Sequence, residues 1–260
     1  MPKFASQHFW SAVLAAGWFF AAPSLEAQNK YDILARVLQP YGELFYSKSP
    51  TKALQADIVL REGPSSTAAI LNQPLRVSLQ MPDKLRIESL DPQHRTVFCR
   101  NGQKVWIYPR EILAGVVPTE RRRTDKQSRI PDFHLPLKDQ QIVWIPALFQ
   151  ISRFASGADS EGTPTWELDF QLSPEIAQAI KCAPWTASAI VKQSDFQVRH
   201  LRIQSGNWSG SLEILDCRFG KALTPQTWEP DPELAAGATP VPPELFDSAL
   251  ERIAAIAIPR

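Results

Sequence analysis

The sequence predicts a mainly β fold, an antiparallel sheet of successive hairpins with one bulky apolar face that another layer must cover. Three observations predict it. Residues 81–108 read as three short strands in a row. Leu85 and Ile87 alternate with Lys84, Arg86 and Glu88, and Val97 and Cys99 alternate with Phe98 and Arg100. Between the second and third of these strands stands Asn101-Gly102, a hairpin signal because both residue types accept positive φ. The second half repeats the pattern: in Thr165–Leu172, Trp166, Leu168, Phe170 and Leu172 alternate with Glu167, Asp169 and Gln171. That alternation puts four large apolar groups on one face.

Each element follows from its own spacing. Ile33, Leu34, Val37, Leu38 and Tyr41 form one apolar stripe, so Tyr31–Tyr41 is predicted as a helix, ended by Pro40 and Gly42. Leu54, Ala56, Ile58 and Leu60 alternate with polar residues as a strand, and residues 63–66 (Gly-Pro-Ser-Ser) mark a turn. Leu75, Val77, Leu79 and Met81 form the next strand, the meander of 81–108 follows, and a short strand lies near 112–117. Residues 118–140 carry charge, Pro and Gln with no period and read as a long loop. Residues 142–154 are apolar nearly all round; interrupted by Pro146, they read as a short buried helix flanked by strand. Strands over 187–192, 196–204 and 211–219 complete the sheet, with a hairpin at 205–207. The apolar phase slips between Ile214 and Leu215, which predicts a bulge.

The run Pro-Asp-Lys-Leu-Arg-Ile-Glu over 82–88, then an apolar strand, Asn-Gly, and Lys-Val-Trp-Ile-Tyr-Pro over 104–109 resembles the LolA/LolB-like lipoprotein-carrier superfamily of the periplasm. The resemblance spans Tyr31 to Pro230 in outline and is specific in residues 75–109. It implies a strongly curved antiparallel sheet, an open, incomplete β-barrel whose open side helices cover as a lid. It also implies a carrier that shields acyl chains of lipoproteins or lipids and moves them between membrane donor and acceptor proteins. One residue departs from the pattern. Met81 stands where the periplasmic carrier commonly has an arginine before its proline, a residue tied to lid closure.

The ends of the chain differ from its middle. Residues 9–22 form an uncharged run of about 14 residues, shorter than the roughly 20 needed to span a bilayer core. Pro23 and the small Ala27 follow, which predicts a cleaved secretory signal over 1–27 and a periplasmic product. An uncleaved anchor or a buried helix is the alternative. The family-like domain then covers 28–230. Residues 231–260 read as a Pro-rich linker and a short C-terminal amphipathic helix, packed on its own domain or plugging a cavity or touching a membrane.

Composition narrows the function. With 28 basic and 27 acidic residues, the chain lacks the net basic face of a nucleic-acid binder; residues 121–123 (Arg-Arg-Arg) are the local exception. Three cysteines, Cys99, Cys182 and Cys217, leave at least one thiol unpaired and fit no metal spacing. No nucleophile elbow, His-Glu-x-x-His, phosphate loop or Cys-x-x-Cys is present, so no enzyme, cofactor or metal site is expected. What the chain has in quantity is apolar bulk: 8 tryptophans and 13 phenylalanines, several of them in the signal.

The expected lipid-cavity lining is Leu79, Leu85, Ile87, Phe98, Trp106, Trp144 and Phe170, each of which also fits an ordinary core. Arg86 has two readings, a polar contact to the inner side of a helical lid or an outward charge paired with Glu88. The expected protein is a monomeric, non-catalytic lipid carrier. The alternative is a periplasmic regulatory module that senses lipid or lipoprotein and binds a protein partner.

Overall fold

The computed structural model describes residues 25–46, 51–63, 70–111, 149–174, 185–206 and 208–242. Helix α1 (Leu25–Tyr46) precedes the sheet. Its apolar stripe is as expected, with Ile33, Leu34 and Val37 buried. Each such side chain contributes about 1.5–3 kcal/mol by burial. The expected stop at Pro40 and Gly42 does not occur, and the helix passes through both. Pro40 removes its own bond to the preceding turn and crowds the carbonyl four residues back, while Leu44, 2 % exposed, carries the apolar stripe one turn further.

Eleven strands follow: β1 (Lys52–Glu62), β2 (Pro74–Gln80), β3 (Lys84–Ser89), β4 (Val97–Asn101), β5 (Lys104–Tyr108), β6 (Phe149–Ala158), β7 (Pro164–Leu172), β8 (Trp185–Lys192), β9 (Val198–Ser205), β10 (Trp208–Lys221) and β11 (Thr239–Val241). They form one open antiparallel sheet in the order β11-β5-β4-β3-β2-β1-β10-β9-β8-β7-β6. A twisted open sheet of that width curls rather than lies flat. The long β1–β10 ladder joins two wings: β2–β5 with β11 on one side, β6–β9 on the other.

Four local expectations change. Residues 149–154, the end of the stretch expected as a short buried helix flanked by strand, are strand throughout: they belong to β6 and pair with β7; residues 142–148 lie outside the described residues. Phe196, expected in a strand, takes φ 60° in the turn before β9, and only Val198 onward joins the ladder. The Asn-Gly hairpin forms, but its tip is Gly102–Gln103, because Asn101 stays paired to Lys104. Gly102 alone supplies the positive φ (64°). The linker expected beyond Pro230 is instead docked through Val241: residues 231–237 turn against the sheet, Leu234 is buried, and β11 pairs with β5. The bulge falls where expected, with Leu215 skipped in the register between Ile214 and Asp216 and left exposed.

The sequence expectations for residues 1–24, 112–148 and 243–260, with Cys182 and Asn207, lie outside the described residues. Cys99 and Cys217 are free, buried thiols. Among the described residues no helix is long and apolar enough to cross a membrane.

Candidate functional site

Directly paired residues of neighbouring strands share a face of the sheet, so the register sorts every side chain. On one face stand Leu54 and Ile58 of β1, Val77 and Leu79 of β2, Leu85 and Ile87 of β3, and Phe98 of β4. Leu79 faces Leu85, Val77 faces Ile87, and Ile87 faces Phe98. The same face continues through β10 into β9, β8, β7 and β6, where it meets α1. There Ile33, Leu34 and Val37 pack with Ile151, Leu168, Ala189 and Val191.

The two wings treat this apolar face differently. Under α1, Leu168 and Val191 are each 1 % exposed. Val77, Leu79, Leu85, Ile87 and Phe98 are all only half-buried and stand outside the cluster that α1 makes. This strip of five apolar side chains is the candidate binding surface.

Four of the expected lining residues, Leu79, Leu85, Ile87 and Phe98, come together on this strip. Phe170 shares the face but sits in the other wing, packed against the α1 cluster. Trp106 does not share it. Trp106 pairs with Cys99, and Cys99 with Arg86, so all three point to the opposite face. The cause is the phase of β5, in which Val105 and Ile107 take the apolar face and Trp106 the other. Trp144 lies outside the described residues.

Arg86 takes the outward of its two readings. Its guanidinium is buried and bonds Glu88 at 2.8 and 3.1 Å. It also donates to the carbonyls of Thr227 (2.9 Å) and Glu229 (3.3 Å) and to Asp231 (3.3 Å). Arg95 grips the same Asp231 carboxylate. These bonds fasten residues 223–241, a strap over the outer face of β3–β5. Under the strap, Trp228 is 0 % exposed among Val97, Cys99, Trp106 and Leu234. Its carbonyl accepts from Trp106 Nε1 (3.1 Å) and Cys99 Sγ (3.3 Å). Burial pushes the Cys99 thiol up to about 12, which keeps it protonated and unreactive.

The residues that single-sequence reasoning missed are Leu54, Val77 and Arg100. The first two followed from strand alternation once the pairing was known. Arg100 pairs with Leu85 and so lies on the apolar face, 1 % exposed, with its Nε donating to the Gly102 carbonyl at 3.0 Å. Its signal was the strand phase it shares with Phe98, two residues earlier.

A cleft of about 680 Å³ opens beside the strip, between the end of α1 and the paired ends of β1 and β10. Pro40, Leu44, Ala53 and Phe219 line it, and Glu43, Lys52 and Lys221 stand at it as charges. Its volume falls within the range of small-molecule sites. Tyr41 packs edge-on against Phe219, ring centres 4.9 Å apart. Burial, with Cys217 beside it, pushes the Tyr41 hydroxyl up to about 12. Among the described residues no group of three or more His, Cys, Asp or Glu could hold a metal. What the arrangement offers is apolar surface with a charged rim.

No family model and no curated protein matches the chain. Among solved structures the fold resembles LolA-superfamily and lipoprotein-sorting proteins. Lipoprotein LppX from Mycobacterium tuberculosis aligns over 70 % of this chain and 91 % of its own, at 10 % identity and TM-score 0.35. A LolA superfamily protein from Nitrosomonas europaea aligns over 75 % of this chain and 96 % of its own, at 12 % identity and TM-score 0.27. In a Pseudomonas aeruginosa MucA/MucB complex the match covers 81 % of this chain but 62 % of that chain, at 11 % identity and TM-score 0.42. The functional reading stands on the packing of this chain.

Proposed function

We propose that this chain is an exported, non-catalytic carrier that holds acyl chains of lipids or lipoproteins against the apolar strip of β1–β4, inside an open barrel. One observation carries the reading: Val77, Leu79, Leu85, Ile87 and Phe98 form a continuous apolar surface that stays half-buried, while the outer face of β3 and β4 is sealed by the strap. The sequence resemblance over residues 75–109 supports the same reading.

The energetics suit a carrier. Burying one CH₂ is worth about 0.8 kcal/mol, so a chain of about 16 carbons would gross on the order of 10 kcal/mol. Association and ordering take back several of those. The remainder holds a lipid away from water and still permits release to a stronger acceptor. Transfer of this kind needs no catalytic group.

The test is a lipid extraction and mass analysis of the protein purified from a periplasm without detergent, for wild type and for Leu85→Glu and Phe98→Glu. The reading expects stoichiometric acylated species in the wild type and their loss in both folded variants. A folded wild type that carries no lipid and binds no apolar dye would overturn it, as would full lipid occupancy in both folded variants.

A further inference from the structure

The cleft at the end of α1 and the apolar strip are physically continuous. Phe219 of the cleft pairs directly with Leu54, Leu54 with Leu79, and Leu79 with Leu85. This row crosses four strands, β10, β1, β2 and β3, which at about 4.8 Å per strand is roughly 14 Å of unbroken apolar side chains. Lys52 and Lys221 are Cα partners, each two residues along its strand from Leu54 or Phe219, so they share the face of the row. The apolar track therefore ends in two facing lysines at the mouth of the cleft.

The two lysines differ in what holds them. Lys52 is ion-paired to Glu43 of α1, and Glu43 also accepts from Gln39 at 3.0 Å. These bonds keep the Glu43 carboxyl below the usual carboxylate range. Lys221 is exposed at the cleft and makes no ion pair among the described residues. Two like charges directly opposite on a sheet oppose each other, and Glu43 offsets only one of them. An anion seated between them would offset both.

We propose that Lys52 and Lys221 form the head-group seat of the carrier, and that its cargo is an amphiphile with an anionic head, a carboxylate or a phosphate. The chain of that amphiphile lies along Phe219, Leu54, Leu79 and Leu85 while its head stays at the wet rim of the cleft. This rests on the carrier reading above and adds the polarity and direction of the ligand. Glu43 is then a competitor for Lys52, displaced or shared when the anion arrives.

The experiment compares three single-chain probes of equal length in direct binding to the full chain: a fatty acid, a monoacyl phosphate lipid and a neutral monoacylglycerol. A charge-assisted contact is worth about 1.5–3 kcal/mol, so wild type should prefer an anionic probe by roughly tenfold or more. Whichever anionic probe binds more tightly identifies the head as carboxylate or phosphate. Lys52→Gln/Lys221→Gln should remove the preference and leave monoacylglycerol binding unchanged. Glu43→Gln should tighten anionic binding by a few-fold, a change opposite in sign to a simple loss of structure. Unfolding midpoints near wild type check that the variants are folded. Equal binding of all three probes by wild type, or a preference that survives the double substitution, would overturn the head-group seat and leave the carrier reading standing. Binding of none of the three by folded wild type would overturn both.

Discussion

The two wings of the sheet are covered on opposite faces. In the β6–β9 wing, α1 seals the apolar face, and the other face carries Arg153, Glu167, Asp169 and Arg202 at the surface. In the β2–β5 wing, the strap seals the other face over β3–β5 through Trp228 and Leu234 and leaves the apolar strip half-buried. One wing is thus built as a closed core. The other is stabilised from outside over β3–β5, and its inner face mixes buried Leu75, Val105 and Ile107 with the half-buried strip.

The largest effects should come from the two coverings. Trp228→Ala and Leu168→Ala should each cost about 3–5 kcal/mol in denaturant unfolding, since each removes a fully buried side chain. Leu85→Ala on the strip should cost about 1 kcal/mol or less, because the side chain is only half-buried. Should Leu85→Ala match Leu168→Ala, the strip would be ordinary core and the contrast between the wings would collapse. Trp228→Phe should be much milder than Trp228→Ala, because among the described residues the indole Nε1 of Trp228 has no hydrogen-bond partner to lose.

Next in size is Arg86→Ala, expected to cost about 3 kcal/mol by leaving Glu88 and the Thr227 and Glu229 carbonyls without their donor. Hydrogen exchange should localise the loss to residues 225–241, with protection in β6–β9 retained. Uniform loss across both wings would mean that the strap is not a separate covering.

Much of this was legible in the sequence. Alternation predicted the strands of the β2–β5 wing and the strong face of β7, and the phase slip at Ile214–Leu215 predicted the bulge. Alternation does not say which face is buried. Arg86 shows the limit: it sits among apolar neighbours in sequence, yet it is buried on the outer face because a segment some 140 residues later supplies carbonyls and a carboxylate to meet it. The strap was unreadable for the same reason, since five prolines read as a linker until Trp228 and Leu234 find their pockets. The helix end was missed because tertiary burial of Leu44, one turn beyond, offsets a good part of the proline's cost and is invisible to local spacing.

A pH titration sharpens the same contrast. The Cys99 thiol lies beneath the strap, and burial raises it from 9.0 to about 12. Below pH 9 the thiol is protonated in both states, so its contribution is fully present. Above pH 9 the unfolded chain ionises while the native thiol keeps its proton, so stability falls as pH climbs toward 12. Tyr41, raised from 10.0 to about 12 under the same burial effect, adds to the fall above pH 10. The combined loss should be on the order of a few kcal/mol across that window. Cys99→Ala should flatten the part that begins near pH 9, and an unchanged slope would show that Cys99 is hydrated beneath the strap.

The smallest effect probes the margin of the strap. Asp57 and Arg76 face each other across β1 and β2 on the outer face, with two bonds of 2.7 and 2.8 Å. Their side chains are 19 % and 36 % exposed, so solvent screens the pair and the strap does not seal it. The Arg76 bonds hold the Asp57 carboxyl below its usual range. Its contribution is therefore present above about pH 4, where the unfolded carboxyl ionises, and is lost as pH falls through the lower native value. Asp57→Asn should cost about 1 kcal/mol at neutral pH and flatten the acid limb of the stability curve. A cost near 3 kcal/mol would place the pair in a dry interior. The outer covering would then reach past β3 to the β1–β10 ladder, and the boundary between the wings would have to be redrawn at β10.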